Sequence, residues 1–195
     1  MRDYFRLLVS NLRAIGQFSG RSSRKSFWVY AITVFVMTMA VFTLLMLPDF
    51  MDAFQGAIRF AEEHPDQATV TRTATSLSVS IRGHHPELMP NMGQFTWFIA
   101  SAVALIVVLL AAAVVRRLHD TGKRGVWGIL PLPFIGFSLP GMIYFFGSEQ
   151  EPSAELFTAV FASNALYLVA IVALMLMLNE FGQPSANRFG PPPAS

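Results

Sequence analysis

Residues 95–115 read FTWFIASAVALIVVLLAAAVV, a run without a charged side chain, and Arg116 and Arg117 follow it directly. A helix needs about 20 consecutive apolar residues to cross the hydrocarbon core of a bilayer. The run is therefore long enough for one membrane-spanning helix, and the two arginines mark the point where that helix leaves the lipid.

Three other uncharged runs have a similar length, and they cover residues 27–47, 126–147 and 156–178. Prolines at positions 131, 133 and 140 interrupt the run over 126–147, and each proline removes a hydrogen bond from a helix. This run is either a broken span or a re-entrant hairpin, and its length and flanking charges favour the span. Only 13% of the chain is charged, against about 25% in soluble proteins. We therefore expect an all-α membrane protein with four transmembrane helices.

Lysine and arginine are distributed unevenly between the segments that join these runs. Eleven of the 14 lie in residues 1–26, 116–125 and 179–195, whereas the loop over 48–94 holds three and the loop over 148–155 holds none. Loops rich in lysine and arginine stay on the cytoplasmic side. We therefore expect a multi-pass protein of a bacterial inner membrane, with both termini in the cytoplasm and residues 48–94 outside.

The N-terminal segment has the pattern of a short amphipathic helix, because Phe5, Leu8, Leu12 and Ile15 recur at spacings of three and four residues. Such a helix, with basic residues on its other face, is stable at a membrane interface. It is equally compatible with packing against the protein's own cytoplasmic loops.

The long outer loop is predicted to have mixed structure. Residues 49–63 have a helical pattern, and residues 69–81 alternate in the manner of a strand or hairpin. His64, His84, His85 and Glu87 lie in or beside this loop. Neighbouring residues in an extended chain point to opposite faces, so we expect a solvated loop here and no metal site.

Three polar blocks adjoin the predicted spans: FSGRSSRKSFW at 18–28, VRRLHDTGKRGVW at 115–127 and GQPSANRFGPP at 182–192. In the second block the helix is predicted to end near His119, because Gly122 can adopt the left-handed conformation that terminates helices. In this order the blocks resemble the signature of the domain of unknown function 805 family of bacterial inner-membrane proteins. The resemblance supports the topology and implies no specific activity. The 48–94 loop looks like an insertion relative to shorter members.

The predicted topology brings all three blocks to the cytoplasmic face. The candidate residues for a ligand or anionic lipid are Arg21, Arg24, Arg116, Arg117, His119, Asp120, Lys123 and Asn187. In the first hypothesis Asp120 pairs with arginines and locks the segments together, while other basic residues contact anionic headgroups. In the second, the arginines bind an anionic ligand or a partner.

A third hypothesis, acid–base catalysis by His119 and Asp120, is disfavoured because successive helical residues point about 100° apart. There is no cysteine, nor any nucleotide-binding or zincin motif, and we expect no cofactor, metal or nucleic acid. The favoured function is a non-enzymatic membrane scaffold or a protein that binds an anionic ligand or lipid through this cytoplasmic Arg/His/Asp motif. The expected partners are membrane lipids with anionic headgroups, together with a second copy of the chain or another membrane protein. The alternative is a small channel or transporter that uses the broken third segment.

Overall fold

The computed structural model describes residues 2–83, 85, 88–147 and 153–193, and most of these belong to helices. In chain order the elements are α1 (Arg2–Arg13), α2 (Arg24–Glu63), β1 (Ala68–Arg72), β2 (Leu77–Ile81), α3 (Met92–Asp120), a 3-10 helix (Gly125–Ile129), α4 (Leu132–Gly147) and α5 (Ala154–Asn179).

Four segments are long and apolar enough to cross a membrane, which confirms the predicted fold class. They are α2, α3, residues 125–145 and α5. Within an apolar stretch of 18 residues in each segment, at most 28% of the residues are buried in the protein. An apolar surface that remains outside the protein core is the property expected of helices in contact with lipid. The chain is a multi-pass membrane protein.

The spans pack in antiparallel pairs. The Tyr30 hydroxyl donates to the Leu109 carbonyl between α2 and α3, and the Ser163 hydroxyl donates to the Phe134 carbonyl between α4 and α5. Helix α2 therefore begins where α3 terminates, and Arg24 at its start donates to the carbonyl of Asn179 at the end of α5. We call this end of the bundle the motif end. The hydrophobic core at the motif end contains Phe27, Tyr30, Ala31, Val34, Ala113, Leu118, Leu174 and Leu178. The opposite end carries the strands and is called the hairpin end.

The third span is broken, as the prolines predict. The 3-10 helix packs against the end of α3, where a Cβ on Gly125 would lie 2.6 Å from Val115 Cγ1. Helix α4 begins directly after Pro131, a position where the missing amide hydrogen costs little. Pro140 lies inside α4 without ending it.

The 48–94 segment differs from prediction in one respect. Its expected helix over 49–63 is present but is continuous with the first span, because α2 passes through Pro48 without interruption. The predicted hairpin is confirmed: β1 and β2 pair antiparallel with Val70 opposite Val79. His64 and His85 both lie against the Phe60 ring, whereas His84 and Glu87 fall outside the described residues.

Helix α1 packs along the first turns of α2 and runs antiparallel to it. The Tyr4 hydroxyl contacts the Thr33 hydroxyl, and the Asn11 amide donates to the Ser26 hydroxyl at 2.9 Å. The helix thus contacts the first span, while its apolar Phe5 stays 66% exposed. An exposed phenylalanine beside a membrane span is consistent with contact with lipid.

Candidate functional site

A buried group of three charged side chains lies at the centre of the motif end. The Asp120 carboxylate accepts a hydrogen bond of 3.0 Å from Arg21 Nε and pairs on its other oxygen with Arg117 Nη1. The side chains are 4%, 1% and 0% exposed respectively. The pairing of Asp120 with arginines, which the first hypothesis predicts, is therefore present. We call Arg21, Arg117 and Asp120 the charged triad.

Arg117 also closes the C-terminal end of α5. Its Nε donates to the Leu178 carbonyl at 2.9 Å, and its Nη2 donates to the Glu180 carbonyl. Its Nη1 lies 3.5 Å from the Ser22 carbonyl oxygen. The last carbonyls of a helix have no partner within the helix. Arg117 therefore caps α5 and links it to the chain that enters α2.

Arg21 holds the C-terminal tail in the same manner. Its Nη1 donates to the carbonyls of Ser185 at 2.8 Å and of Gly190 at 3.3 Å, and its Nη2 donates to the Gln183 carbonyl. These acceptors lie more than 160 positions away in sequence. The tail is consequently folded around one guanidinium group instead of extending from the bundle.

Arg116 points to the other side of α3 and holds the end of α1. It donates to Asn11 Oδ1 at 3.2 Å and to the carbonyls of Ala14, at 2.6 Å, and Gln17. The first hypothesis assigned the locking of α1 to Asp120. The structure shows that Arg116 makes these contacts and that Asp120 pairs with two other arginines.

His119 and Asn187 fasten the tail to the end of α3. The His119 ring stacks on the Phe189 ring, with centroids 3.8 Å apart, and His119 Nδ1 lies 3.2 Å from the Gly20 carbonyl oxygen. The Asn187 amide donates to the His119 carbonyl at 3.0 Å. His119 and Asp120 each bind separate groups, so the two side chains do not form an acid–base dyad.

The turn after α3 requires glycine at position 122. Gly122 has φ of +81°, and Lys123 donates its amide hydrogen to the Leu118 carbonyl at 2.9 Å. This is the arrangement in which a left-handed glycine ends a helix. A Cβ on Gly122 would also lie 2.5 Å from Gln183 Nε2. The predicted role of Gly122 is confirmed, and the contact with the tail adds a second reason for it.

Two of the predicted site residues lie at the rim of this group. Arg24 donates to the Asn179 carbonyl at 3.2 Å and lies 4.9 Å from the centroid of the Phe181 ring. Lys123 pairs with the Glu180 carboxylate, where the side chains are 29% and 47% exposed. A partly exposed ion pair of this type contributes about 0–1 kcal/mol. Loss of a rim contact should therefore cost less than loss of one member of the charged triad, which would leave a buried charge unpaired.

All eight predicted site residues thus meet at the motif end, and the described contacts of the buried ones are to the protein itself. An arginine has five N–H donors, and Arg117 directs its donors to three carbonyls and one carboxylate. Most of its partners are backbone carbonyls, which leave no signal in a sequence. Within the described residues, no group of three or more His, Cys, Asp and Glu side chains could hold a metal ion.

Comparison with known proteins identifies one family. The family model described as a protein of unknown function (DUF805) matches residues 15–191. This range includes the charged triad and the folded tail, whereas α1 lies outside it. No curated protein and no solved structure is significantly similar to the chain. The match covers most of the sequence, so the chain belongs to the DUF805 family of proteins of unknown function.

Proposed function

We propose that this protein is a non-enzymatic membrane scaffold of the bacterial inner membrane whose motif end binds anionic lipid headgroups. The observation that carries the proposal is the burial of the charged triad, whose guanidinium groups bind carbonyls and a carboxylate of the same chain. Groups that are already paired are poorly placed to act on an external substrate. They hold four segments of the chain in one arrangement.

A second set of cations has the exposure that headgroup binding needs. Arg2, Arg6 and Arg13 are exposed, and their spacings of four and seven residues place them on one face of α1. We call this face the basic stripe. Near an anionic surface each lysine or arginine contributes about 1 kcal/mol to membrane binding. Lys25 and Arg124, both exposed, extend the cationic surface at the same end.

The lipid preference can be tested with two matched variants. The protein is reconstituted in equal amounts of phosphatidylglycerol and phosphatidylcholine, extracted in mild detergent, and its retained lipids are quantified by mass spectrometry. We expect phosphatidylglycerol to be enriched on the wild type. The variant Arg2→Gln/Arg6→Gln/Arg13→Gln should lose roughly tenfold or more of that enrichment, since three cations at about 1 kcal/mol each are removed.

The control removes three exposed arginines at the hairpin end, Arg59→Gln/Arg72→Gln/Arg82→Gln, and should retain the wild-type enrichment. Added salt should weaken the preference, because it screens exposed charges. Wild-type enrichment in both variants would contradict a role for the basic stripe. Enrichment that falls equally in both would show a response to net charge alone.

The proposed orientation is testable because the chain has no cysteine. Single variants Ser19→Cys and Ser76→Cys place thiols at exposed positions of the motif end and the hairpin end. In intact spheroplasts a membrane-impermeant maleimide should label Ser76→Cys and leave Ser19→Cys unlabelled until the membrane is permeabilised. The reverse pattern would place the termini outside the cytoplasm.

The channel or transporter alternative has weaker support. The cavity beside the broken third span has a volume of about 300 Å³ and is lined by Gly136, Phe137, Pro140, Gly141, Tyr144 and Leu156. This lining is apolar, whereas ion and proton pathways place polar or ionisable groups within the membrane. A scaffold that binds lipid therefore fits the geometry better.

A further inference from the structure

A long groove lies between α1, α2 and α3. It has a volume of about 420 Å³, and its walls include Leu8, Leu12, Met37, Phe42 and Leu105. Along α2 it extends from Tyr30 to Leu45, which corresponds to about 22 Å at 1.5 Å per residue. One leaflet contributes about 15 Å to the hydrocarbon core. The groove is thus long enough to hold the whole of one lipid chain.

Three of the four polar side chains on these walls donate to backbone carbonyls of the protein. The Thr33 hydroxyl donates to the Val29 carbonyl at 2.7 Å, and the Ser101 hydroxyl donates to the Trp97 carbonyl at 2.9 Å. The Tyr30 hydroxyl likewise donates to the Leu109 carbonyl. A polar ligand would lose its hydrogen bonds to water here and gain few in return. The groove is therefore suited to a hydrocarbon chain.

A second transmembrane helix fits this groove less well than a lipid chain. Helices that pack within membranes use small residues at their contacts, because these let the backbones approach closely. Here large side chains such as Met37, Phe42 and Leu105 form most of the walls. In addition, Leu8 and Leu12 of α1 line the motif end of the groove, where they would obstruct a helix about 10 Å wide.

We propose that one acyl chain of an anionic glycerophospholipid occupies this groove and that its headgroup lies at Arg13, the member of the basic stripe nearest the motif end. The positions of Arg2, Arg6 and Arg13 lie roughly 120° around α1 from Leu8 and Leu12, at 100° per residue. One face of α1 thus covers the chain while the neighbouring face meets the phosphate. The headgroup part of this inference rests on the proposed function, whereas the groove part depends only on the apolar walls.

Photocrosslinking tests the occupant directly. The probe is phosphatidylglycerol with a diazirine in one acyl chain, added to the reconstituted full-length protein, and the adducts are mapped by mass spectrometry. We expect a higher yield of adducts at Met37 and Leu105 in the groove than at Val169 and Leu176, which are exposed on α5. Uniform labelling of both regions would overturn the proposal, because it would show ordinary surrounding lipid.

Substitutions that fill the groove provide the second part of the test. Ala102→Phe should reduce labelling in the groove to the level seen on α5, while Val108→Phe, at an exposed position of α3 outside the groove, should leave it unchanged. If Ala102→Phe does not fold, Met37→Trp fills the groove from an exposed position on α2. Equal labelling in the filled and control variants would overturn the proposal.

A phosphatidylcholine probe with the same diazirine chain separates the two proposals. Groove labelling by both lipids with a preference for phosphatidylglycerol supports the complete inference. Equal labelling of the groove by both lipids would overturn the headgroup contact, and with it the proposed lipid preference, but leave the chain site supported. A preference for phosphatidylglycerol without groove labelling would overturn the chain site alone.

Discussion

A Cβ atom on Gly182 would lie 2.1 Å from Oδ2 of Asp120 and 2.8 Å from its Cγ. These distances are shorter than van der Waals contact, so a side chain at position 182 would displace the carboxylate. Arg21 and Arg117 hold that carboxylate on both oxygens. The charged triad and the start of the tail therefore fit together only if residue 182 is glycine.

Gly182→Ala should lower the thermal stability of the protein in detergent. Insertion of a methyl group into a packed site costs about 1–3 kcal/mol, and here it also disturbs two buried ion pairs. Gly16→Ala is the matched control, because a Cβ at Gly16 would meet no atom within 4 Å. Melting of both variants at the wild-type temperature would contradict the close packing of Gly182 against Asp120.

The packing of the broken span on α5 predicts a compensating pair of substitutions. A Cβ on Gly141 would lie 2.4 Å from Val160 Cγ2. Gly141→Ala should therefore destabilise the protein by about 1–3 kcal/mol. The double variant Gly141→Ala/Val160→Ala should recover part of the loss, since substitutions at residues in contact are not additive. Additive losses measured by thermal unfolding would mean that this contact is absent.

The contact between Arg116 and α1 predicts a local effect on dynamics. Arg116→Gln removes the guanidinium that binds Asn11 and the carbonyls of Ala14 and Gln17. Amide hydrogens in α1 should then exchange faster, because the helix is less firmly attached to α3. Arg124→Gln changes an exposed arginine and serves as the control. Equal protection of residues 2–13 in both variants would show that Arg116 does not hold α1.

Much of this architecture is predictable because the membrane imposes it. Uncharged runs of about 20 residues identify spans wherever the backbone must satisfy its own hydrogen bonds. The turn at Gly122 is also predictable, since a left-handed glycine beyond a basic helix end is a common termination. A lone acidic residue among arginines likewise indicated that Asp120 would be paired.

The features that the sequence does not predict depend on tertiary contacts. Proline usually disfavours helical structure at the preceding residue, so a helix boundary near Pro48 was the simpler expectation. In the structure the rest of α2 retains its hydrogen-bonding pattern, and the helix continues to Glu63. The partners of Arg21 and Arg116 are mainly backbone carbonyls of distant segments. Any residue type supplies such a carbonyl, so only the folded chain identifies them.

The most direct test of the account compares a buried carboxylate with an exposed one. Asp120→Asn keeps the shape of the side chain but leaves Arg21 and Arg117 without a counter-charge, whereas Glu180→Gln disrupts only the partly exposed pair with Lys123. The measurement is thermal unfolding in detergent, together with quantification of retained phosphatidylglycerol.

We expect Asp120→Asn to lower the free energy of unfolding by about 3 kcal/mol or more, and Glu180→Gln to lower it by about 1 kcal/mol or less. In the fraction of Asp120→Asn that remains folded, the retained phosphatidylglycerol should match the wild type, because the basic stripe is unchanged. Wild-type stability in Asp120→Asn combined with loss of the retained lipid would contradict the account, since the triad would then bind a ligand instead of locking the fold.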